Sequence, residues 1–448
     1  MTKSLQRMDA SYQHNGHGSI LPAGEFSETL RGIFHSLQEY FQERAKAASL
    51  ELSPMSSDHV HPRVTDKSSP HLYDGVCGIA FFCAAYYSIT RDPQARELAL
   101  CLVQPLRAKL QNLAAAGSAL ADQPLAIGGM VGLGSFLYSF RLMADWLKAP
   151  ELMDAAHDVT TLITPQRIMK DERLNVVAGC AGTLLALLSF VHESLQGDDA
   201  QLSVNLALLC GQRLLDSRVP YKSGPRAWPV SGRGLPIGGF AYGAAGISCS
   251  LARLFQYTGQ EQFLEAAIEG FAFERSLFVT EEGAWIDPKT NNFTDRGSWC
   301  YGAPGVALSR LGSLAAVDVP VLRQDLEEAL TISRALAESR YDHICCGNFG
   351  VIDVLHTAGT RLERLQLSAY ALELSRRMLA RATNRGFYFD MPGQEQSNGR
   401  DNDVDGHEST DTTGKLTLFR GLAGIGYVLL RLSYPDLFPS VLLLESLN

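Results

Sequence analysis

The chain has 448 residues, of which 46% are hydrophobic and 19% are charged, and its 39 basic and 48 acidic residues give a net charge of −9. This composition excludes a disordered chain, a collagen-like fibre and a small disulfide-rich scaffold. The mildly acidic balance, with no basic stripe interleaved with aromatic residues, also argues against nucleic acid as a partner.

The cysteine content and the apolar runs indicate the compartment. Nine cysteines in 448 residues are too sparse for a disulfide framework, and no basic and then apolar leader precedes them. No apolar run reaches the roughly 18 residues that a membrane span needs. The sequence therefore predicts a cytoplasmic protein with reduced thiols and no membrane span.

The first 70 residues are predicted to form a region of their own. Residues 1–24 are polar and read as an arm. From Phe26 to about Ala48 the apolar residues recur at helical spacing, which predicts one amphipathic helix with Ser27 as its N-cap. Residues 52–70 hold Ser, Pro, Asp and His without periodicity and are predicted to be a linker. The remaining domain is predicted to span residues 71–448.

One pattern recurs seven times after the linker: a glycine, two other residues, a second glycine and an apolar run. The copies are Gly75-Gly78, Gly129-Gly132, Gly179-Gly182, Gly243-Gly246, Gly302-Gly305, Gly347-Gly350 and Gly421-Gly424. Their first glycines are 54, 50, 64, 59, 45 and 74 residues apart, which is about the length of two helices and their connections.

Two kinds of helix alternate along this repeat. The runs after the glycines are apolar almost all round, so each is predicted to be buried on every side. The segments between them, such as 261–276 and 323–339, are amphipathic and more charged. The pattern predicts an all-α fold, an α/α toroid with seven inner and seven outer helices, in which glycines allow close backbone approach. Strands are expected only at 387–390 and 284–287.

The cysteines fall into two groups. Six lie in apolar helical runs or between paired glycines and are predicted to be inert, buried side chains; they are Cys77, Cys83, Cys101, Cys180, Cys210 and Cys249. Cys300, Cys345 and Cys346 instead lie one or two positions before glycine pairs, in SWCYGAPG and HICCGNFG. We therefore expect these three at one end of the barrel, on loops that lead into neighbouring inner helices.

Three converging thiols can bind zinc, and three protein ligands would leave one coordination position open for water or substrate. From spacing alone two alternatives stay open. The three residues could be ordinary cysteines at loop ends, or His343 could act as a fourth ligand and close the site.

The glycine pattern, with SWCYGAPG and CCGNFG, resembles the cyclase family of lanthipeptide biosynthesis, the LanC-like proteins. LYDGVCGIAFF, FERSLF, GLAGIGYVLLRL and the terminal PSVLLLE extend the likeness over more than four-fifths of the chain, and it is greatest for the C-terminal cyclase domain of class II lanthipeptide synthetases. The resemblance implies an α/α toroid with a Zn²⁺ ion held by Cys300, Cys345 and Cys346. Cys346 stands where the family usually has a histidine, as in a three-cysteine subgroup of class II enzymes.

The resemblance also implies an activity, the formation of lanthionine and methyllanthionine rings. Cysteine thiolates of a dehydrated precursor peptide would add to dehydroalanine or dehydrobutyrine, after which the enolate is protonated. The family's Asp and His are replaced by Asn175 and Tyr242, which are the candidate orienting residue and the candidate acid/base. The implied partners are the precursor peptide and a separate dehydratase, for a stand-alone cyclase or an excised domain.

The loss of that Asp and His leaves two other functions open: a noncatalytic zinc-containing scaffold that binds peptide, and a LanC-like transferase that adds glutathione to dehydroamino acids.

The remaining motifs are expected to have structural roles. DNDVDG at 401–406 lacks the final Glu of a calcium loop and is expected to be a solvated loop within a flap at 392–415. His71 and His407 are expected to be surface or capping histidines.

Overall fold

The computed structural model describes residues 24–50, 69–116, 125–194, 198–229, 234–338, 341–389 and 412–446. These residues form fifteen α-helices and two pairs of two-residue strands. The predicted all-α class is confirmed. Of the expected flap at 392–415, residues 392–411, with DNDVDG and His407, lie outside the described residues, and residues 412–415 belong to a short 3₁₀-helix, Thr412–Leu416.

Seven apolar helices form a closed ring, in which each contacts the next and the last contacts the first. These inner helices are α2 (Val76–Thr90), α4 (Leu133–Leu147), α7 (Cys180–Ser194), α9 (Ala244–Thr258), α11 (Ala303–Ser313), α13 (Asn348–Arg361) and α15 (Leu422–Ser433). Nearly every side chain of α4 and α13 is buried, as expected for helices that are apolar all round. The predicted inner ring of seven is confirmed.

The outer layer consists of amphipathic helices, each packed on the inner helix that precedes it in the chain. These are α3 (Pro93–Ala115), α5 (Pro150–Leu162), α8 (Asp198–Asp216), α10 (Glu261–Ser276), α12 (Pro320–Ala335) and α14 (Leu365–Arg385). In α12 the buried residues Leu322, Leu326, Ala329 and Leu330 recur every three or four positions, so one face meets the ring. A short helix, α6 (Pro165–Met169), contacts α8.

The seventh outer helix is α1 (Ser27–Leu50), which packs on α15 and α2. Phe34 and Leu37 are fully buried there. The expected N-cap is wrong: Ser27 is the first residue of the helix, and its hydroxyl donates to the carbonyl of Gly24 instead of accepting an N–H. The boundary at residue 70 stays a prediction, but α1 completes the outer layer.

Strand structure is sparse among the described residues. β1 (Val219–Pro220) pairs with β2 (Arg226–Ala227), and β3 (Phe278–Val279) pairs with β4 (Ala284–Trp285), both antiparallel. The expected strand at 284–287 is therefore present in part. The expected strand at 387–390 is wrong: residues 387–389 form no strand, although Tyr388 accepts the Asp342 N–H at 2.7 Å, and residue 390 lies outside the described part.

The second glycine of each repeat has a specific steric task in six of the seven copies. It occupies the third position of the inner helix, where an added Cβ would lie between 1.8 and 2.2 Å from the carbonyl oxygen of the residue six positions earlier. The loop before each inner helix thus folds onto the first turn of that helix. The closest approach is between a helix and its own preceding loop, and an added Cβ at Gly182 would also lie 2.5 Å from the backbone nitrogen of Gly129 in the neighbouring loop.

The second repeat departs from the predicted register. Gly132, and not Gly129, is the N-cap of its inner helix and adopts a φ of 127°, which a residue with a Cβ rarely adopts. Ser135 takes the place of the second glycine, and its hydroxyl donates to the Gly132 carbonyl at 2.6 Å. Gly129 lies one turn earlier and packs against Gly182 and Leu444.

A ring of backbone hydrogen bonds joins the loops at the N-terminal ends of the inner helices. Its members lie two positions before each N-cap glycine, and almost every N–H donates to the carbonyl of the equivalent residue in the next repeat, over 3.0 to 3.2 Å. The members are Tyr73, Met130, Val177, Ala241, Cys300, Cys345 and Phe419. One step differs, because Trp299 rather than Cys300 donates to Cys345, at 2.9 Å. We call this set of loops the rim.

The last described residues close the other end of the ring. Tyr427 of α15 donates to the carbonyl of Pro439 at 2.9 Å, and Arg253, near the end of α9, donates to the carbonyl of Leu443 at 2.8 Å. Residues Val441 to Leu444 are almost completely buried.

Candidate metal centre at the rim

The three cysteines singled out in the sequence meet at the rim. Cys300 and Cys345 are members of the hydrogen-bonded ring, and Cys346 follows directly. Their sulfur atoms lie 2.9 Å apart for Cys300 and Cys345, 3.3 Å for Cys345 and Cys346, and 3.9 Å for Cys300 and Cys346. The first two are buried and Cys346 is half-buried, so the cluster opens on the side of Cys346. The predicted convergence is confirmed.

The donor set fits a metal ion. Thiolates that bind one zinc ion tetrahedrally at about 2.3 Å lie about 3.8 Å from each other. The sulfur atoms of Cys300 and Cys346 are already separated by about this distance. The two shorter sulfur–sulfur distances would each have to increase by less than 1 Å, which rotation of the side chains can provide. The described residues place no His, Asp or Glu in this group of ligand atoms. The cluster can bind a metal through three thiolates and leave a position open.

Hydrogen bonds shift the pKa values of the clustered thiols in different directions. Cys345 shares hydrogen bonds with Cys300 and Cys346 and accepts one from the Tyr73 hydroxyl, and these bonds hold the pKa of Cys345 well below its usual range. The hydrogen bond that Cys300 shares with Cys345 raises the pKa of Cys300. A thiolate at Cys345 is thus stabilised before any metal binds, which favours binding of a cation.

Tyr73 was not anticipated from the sequence. Its hydroxyl donates to the Cys345 sulfur at 2.9 Å, and its ring stacks on Phe419 at 4.7 Å between centroids. Tyr73 is the ring member of the first repeat, 272 positions before Cys345 in sequence. Aligning the repeats on their N-cap glycines places both residues at equivalent positions, which predicts that they share the rim but not that they touch.

The residues directly before the N-cap glycines form a second set at the rim. This set, called here the inner rim positions, consists of Asp74, Val131, Ala178, Tyr242, Tyr301, Cys346 and Arg420. Tyr242 and Tyr301 stack at 5.4 Å between ring centroids. Burial and the neighbouring Cys300 raise the pKa of both tyrosines.

Asn175, the candidate orienting residue, has a local task. Its side-chain oxygen accepts the N–H of Ala178 at 2.8 Å, and its backbone carbonyl accepts the N–H of Gly179 at 3.1 Å. Asp171 holds the same loop through the N–H groups of Leu174 and Cys180. Asn175 therefore shapes the loop that enters α7.

The histidines of the rim have structural partners. His343 accepts the N–H of Cys346 through Nδ1 at 3.3 Å and stacks on Tyr341, so it supports the loop that carries two thiols. His343 does not belong to the metal-ligand group. His71 accepts the N–H of Gly132 at 3.1 Å and stacks on Phe136, which is the capping role expected for it.

The other six cysteines lie on helices away from this cluster. Cys77 and Cys83 are on α2, and Cys249 is on α9; all three are fully buried. Burial raises the pKa of Cys77 to about 12, so its thiol stays protonated and unreactive at neutral pH.

Comparisons with known proteins agree with the fold and the motifs. Residues 66–443 match the family profile of the lanthionine synthetase C-like proteins. Nisin cyclase has a similar structure, with a TM-score of 0.61 at 17% identity over 94% of this chain and 98% of its own. This likeness shows the α/α toroid. Among the described residues, no helix is both long and apolar enough to cross a bilayer.

Two further solved structures are more distant. A sugar epimerase from a ruminal bacterium has a TM-score of 0.40 at 11% identity, over 65% of this chain and 88% of its own. An α-mannanase from Bacteroides thetaiotaomicron has a TM-score of 0.39 at 12% identity, over 72% of this chain and 95% of its own. None of the curated proteins matches the chain. Since the family profile covers most of the sequence, the chain belongs to the lanthionine synthetase C-like family.

Proposed function

We propose that the protein is a zinc-dependent peptide cyclase that forms lanthionine and methyllanthionine rings in a dehydrated precursor peptide. The observation that carries the proposal is the convergence of three thiols, one of them half-buried, at the rim of a toroid of this family. Cys300, Cys345 and Cys346 are the proposed ligands. Zinc, when bound, lowers the pKa of a coordinated thiol and so supplies a thiolate nucleophile.

The chain's own residues have distinct tasks in this reaction. The ring of backbone hydrogen bonds fixes Cys300 and Cys345, while the half-buried Cys346 faces the open side where a peptide arrives. Tyr242 is the proposed proton donor to the α-carbon. Burial raises its pKa, so its hydroxyl keeps its proton until the enolate, a strong base, has formed. Asn175 holds the loop of the third repeat in shape by accepting the N–H of Ala178.

The partner is a peptide that carries cysteine together with dehydroalanine or dehydrobutyrine, and a separate dehydratase would produce it. All nine cysteines are free thiols, which agrees with a reducing compartment and supports a cytoplasmic location.

The test is a cyclisation assay with a dehydrated peptide that contains cysteine. We expect thioether formation by the purified protein, detected as loss of alkylation by a thiol probe, and its disappearance after zinc is chelated. Cys300→Ala should abolish the reaction and reduce zinc content. Cys249→Ala is the matched control, because Cys249 is a buried thiol on α9. Ring formation at the uncatalysed rate by the wild-type protein would refute the proposal.

A second candidate is a noncatalytic zinc-containing scaffold. The use of the Asn175 side chain as a local hydrogen-bond acceptor favours it, since this residue is then engaged in the fold. A scaffold would bind the peptide without accelerating ring closure.

The alternative of a glutathione transferase is tested by adding glutathione and the protein to a dehydrated peptide without cysteine, because a transferase would produce the glutathione adduct.

A further inference from the structure

Arg420 is the inner rim position of the seventh repeat. The backbone bond from the Cys345 N–H to the Phe419 carbonyl, at 3.1 Å, joins the Cys346 loop directly to the Arg420 loop. Arg420 is thus the neighbour of Cys346 on one side, as Tyr301 is on the other. Its side chain is exposed, so the guanidinium can reach a molecule at the open side of the cluster.

The contacts of Arg420 direct it toward the thiols. Its guanidinium carbon lies 5.7 Å from the centroid of the Tyr73 ring, whose hydroxyl donates to Cys345. A guanidinium stays protonated in proteins, so Arg420 carries a permanent positive charge beside the tyrosine that contacts Cys345. Another arginine of these loops, Arg296, is directed elsewhere: it lies over Phe293 and pairs with Glu282.

A positive group is needed at this place for an electrostatic reason. Three thiolates exceed the charge of one zinc ion by one, so a three-cysteine centre gives little stabilisation to an oxygen on which negative charge develops. Addition of a thiolate to a dehydroamino acid moves charge onto the carbonyl oxygen. Hydrogen-bond donors aimed at such an oxygen contribute strongly to catalysis.

We propose that Arg420 is a catalytic residue that binds the carbonyl oxygen of the dehydroamino acid and stabilises the enolate. This role rests on the proposed cyclase function. The carbon–sulfur bond forms at the β-carbon, and the π electron pair of the alkene moves to give the enolate oxygen, to which Arg420 donates. A proton returned to the α-carbon restores the carbonyl. No oxidant or reductant takes part.

The kinetic test uses Arg420→Met and a peptide with one cysteine and one dehydroalanine. We expect kcat to fall by about 100-fold, the typical cost of losing one such donor, with KM and zinc content unchanged. Arg420→Lys, which keeps the charge, should recover part of the loss. Arg173→Met is the matched control, since Arg173 is an exposed arginine on another rim loop.

A binding test needs no turnover. A peptide with aspartate in place of dehydroalanine presents an anionic carboxylate on the same residue whose carbonyl oxygen Arg420 is proposed to bind, and alanine in its place presents none. The zinc-loaded wild-type protein should bind the aspartate peptide more tightly than the alanine peptide, and Arg420→Met should lose this preference.

The outcomes separate the two proposals. If wild-type protein forms no rings, the cyclase function is refuted and the role of Arg420 with it. If wild-type protein forms rings and Arg420→Met does so at the same kcat, only the role of Arg420 is refuted. The role of Arg420 in the enolate step is also refuted if Arg420→Met raises KM and leaves kcat unchanged, because the guanidinium would then bind an acidic group of the peptide.

Discussion

The Tyr73 hydroxyl is the contact that most directly prepares the thiol cluster. It donates to Cys345 at 2.9 Å and favours the thiolate form. We expect Tyr73→Phe to weaken zinc binding about 10-fold, in the range found when a hydrogen bond to a metal ligand is removed. Competition with a chromogenic chelator measures this change.

Tyr370→Phe is the control for Tyr73→Phe. The Tyr370 hydroxyl donates to the Arg334 carbonyl on the outer layer, so its loss should leave zinc affinity unchanged. Equal zinc affinity in Tyr73→Phe and wild-type protein would contradict the role assigned to this hydroxyl.

Single residues also show how far the sequence alone could lead. Cys300, Cys345 and Cys346 were predictable, because thiols one or two positions before glycine pairs stand out in the primary structure. Tyr73 and Arg420 were not singled out, since neither residue type is unusual at a loop end. Their importance depends on which loops become neighbours when the ring closes.

At the scale of the element, the first turn of each inner helix is the most constrained part of the repeat. In Gly424→Ala the new Cβ would lie 1.8 Å from the Leu418 carbonyl oxygen, and backbone would have to move. We expect a loss of at least about 3 kcal/mol in the free energy of unfolding. Denaturant unfolding followed by circular dichroism measures it.

A glycine elsewhere gives the opposite expectation and serves as the control. Gly32 lies within α1, and an added Cβ there meets nothing within 4 Å. Gly32→Ala should stabilise the protein by about 0.5 to 1 kcal/mol, because alanine favours the helix. Similar effects of the two substitutions would show that the rim loops do not need the close approach.

Helix α1 tests whether the first residues are part of the toroid. Phe34 is fully buried and stacks on Tyr86 of α2 at 5.1 Å. We expect Phe34→Ala to cost about 3 to 5 kcal/mol and to shift one cooperative unfolding transition of the whole domain. An unchanged transition by calorimetry would instead support the division at residue 70.

At the scale of the whole molecule, buried histidines make stability depend on pH. Burial of His356 in α13 lowers its pKa to about 4, from about 6.5 in an unfolded chain. The folded state therefore keeps His356 neutral while the unfolded state takes up a proton below pH 6.5. Its contribution is fully present above pH 6.5 and falls by up to about 3 kcal/mol as the pH drops to 4.

The measurement for this effect is the free energy of unfolding between pH 7 and 4. His356→Gln cannot titrate in this range and should flatten the curve. Burial also lowers the pKa of His71, which contributes in the same direction in both proteins. An identical slope for wild-type and His356→Gln would assign the acid sensitivity to other groups.

The sequence by itself determined the helical class, the sevenfold repeat, the alternation of inner and outer helices and the three metal-ligand candidates. These follow from local patterns, because helical periodicity and glycine positions act over a few residues. The structure decided the register of the second repeat, the place of α1 in the outer layer and the neighbours of the thiols. Those depend on closure of the ring, which brings Tyr73 to Cys345 and Arg420 beside Cys346 through contacts that no local pattern encodes.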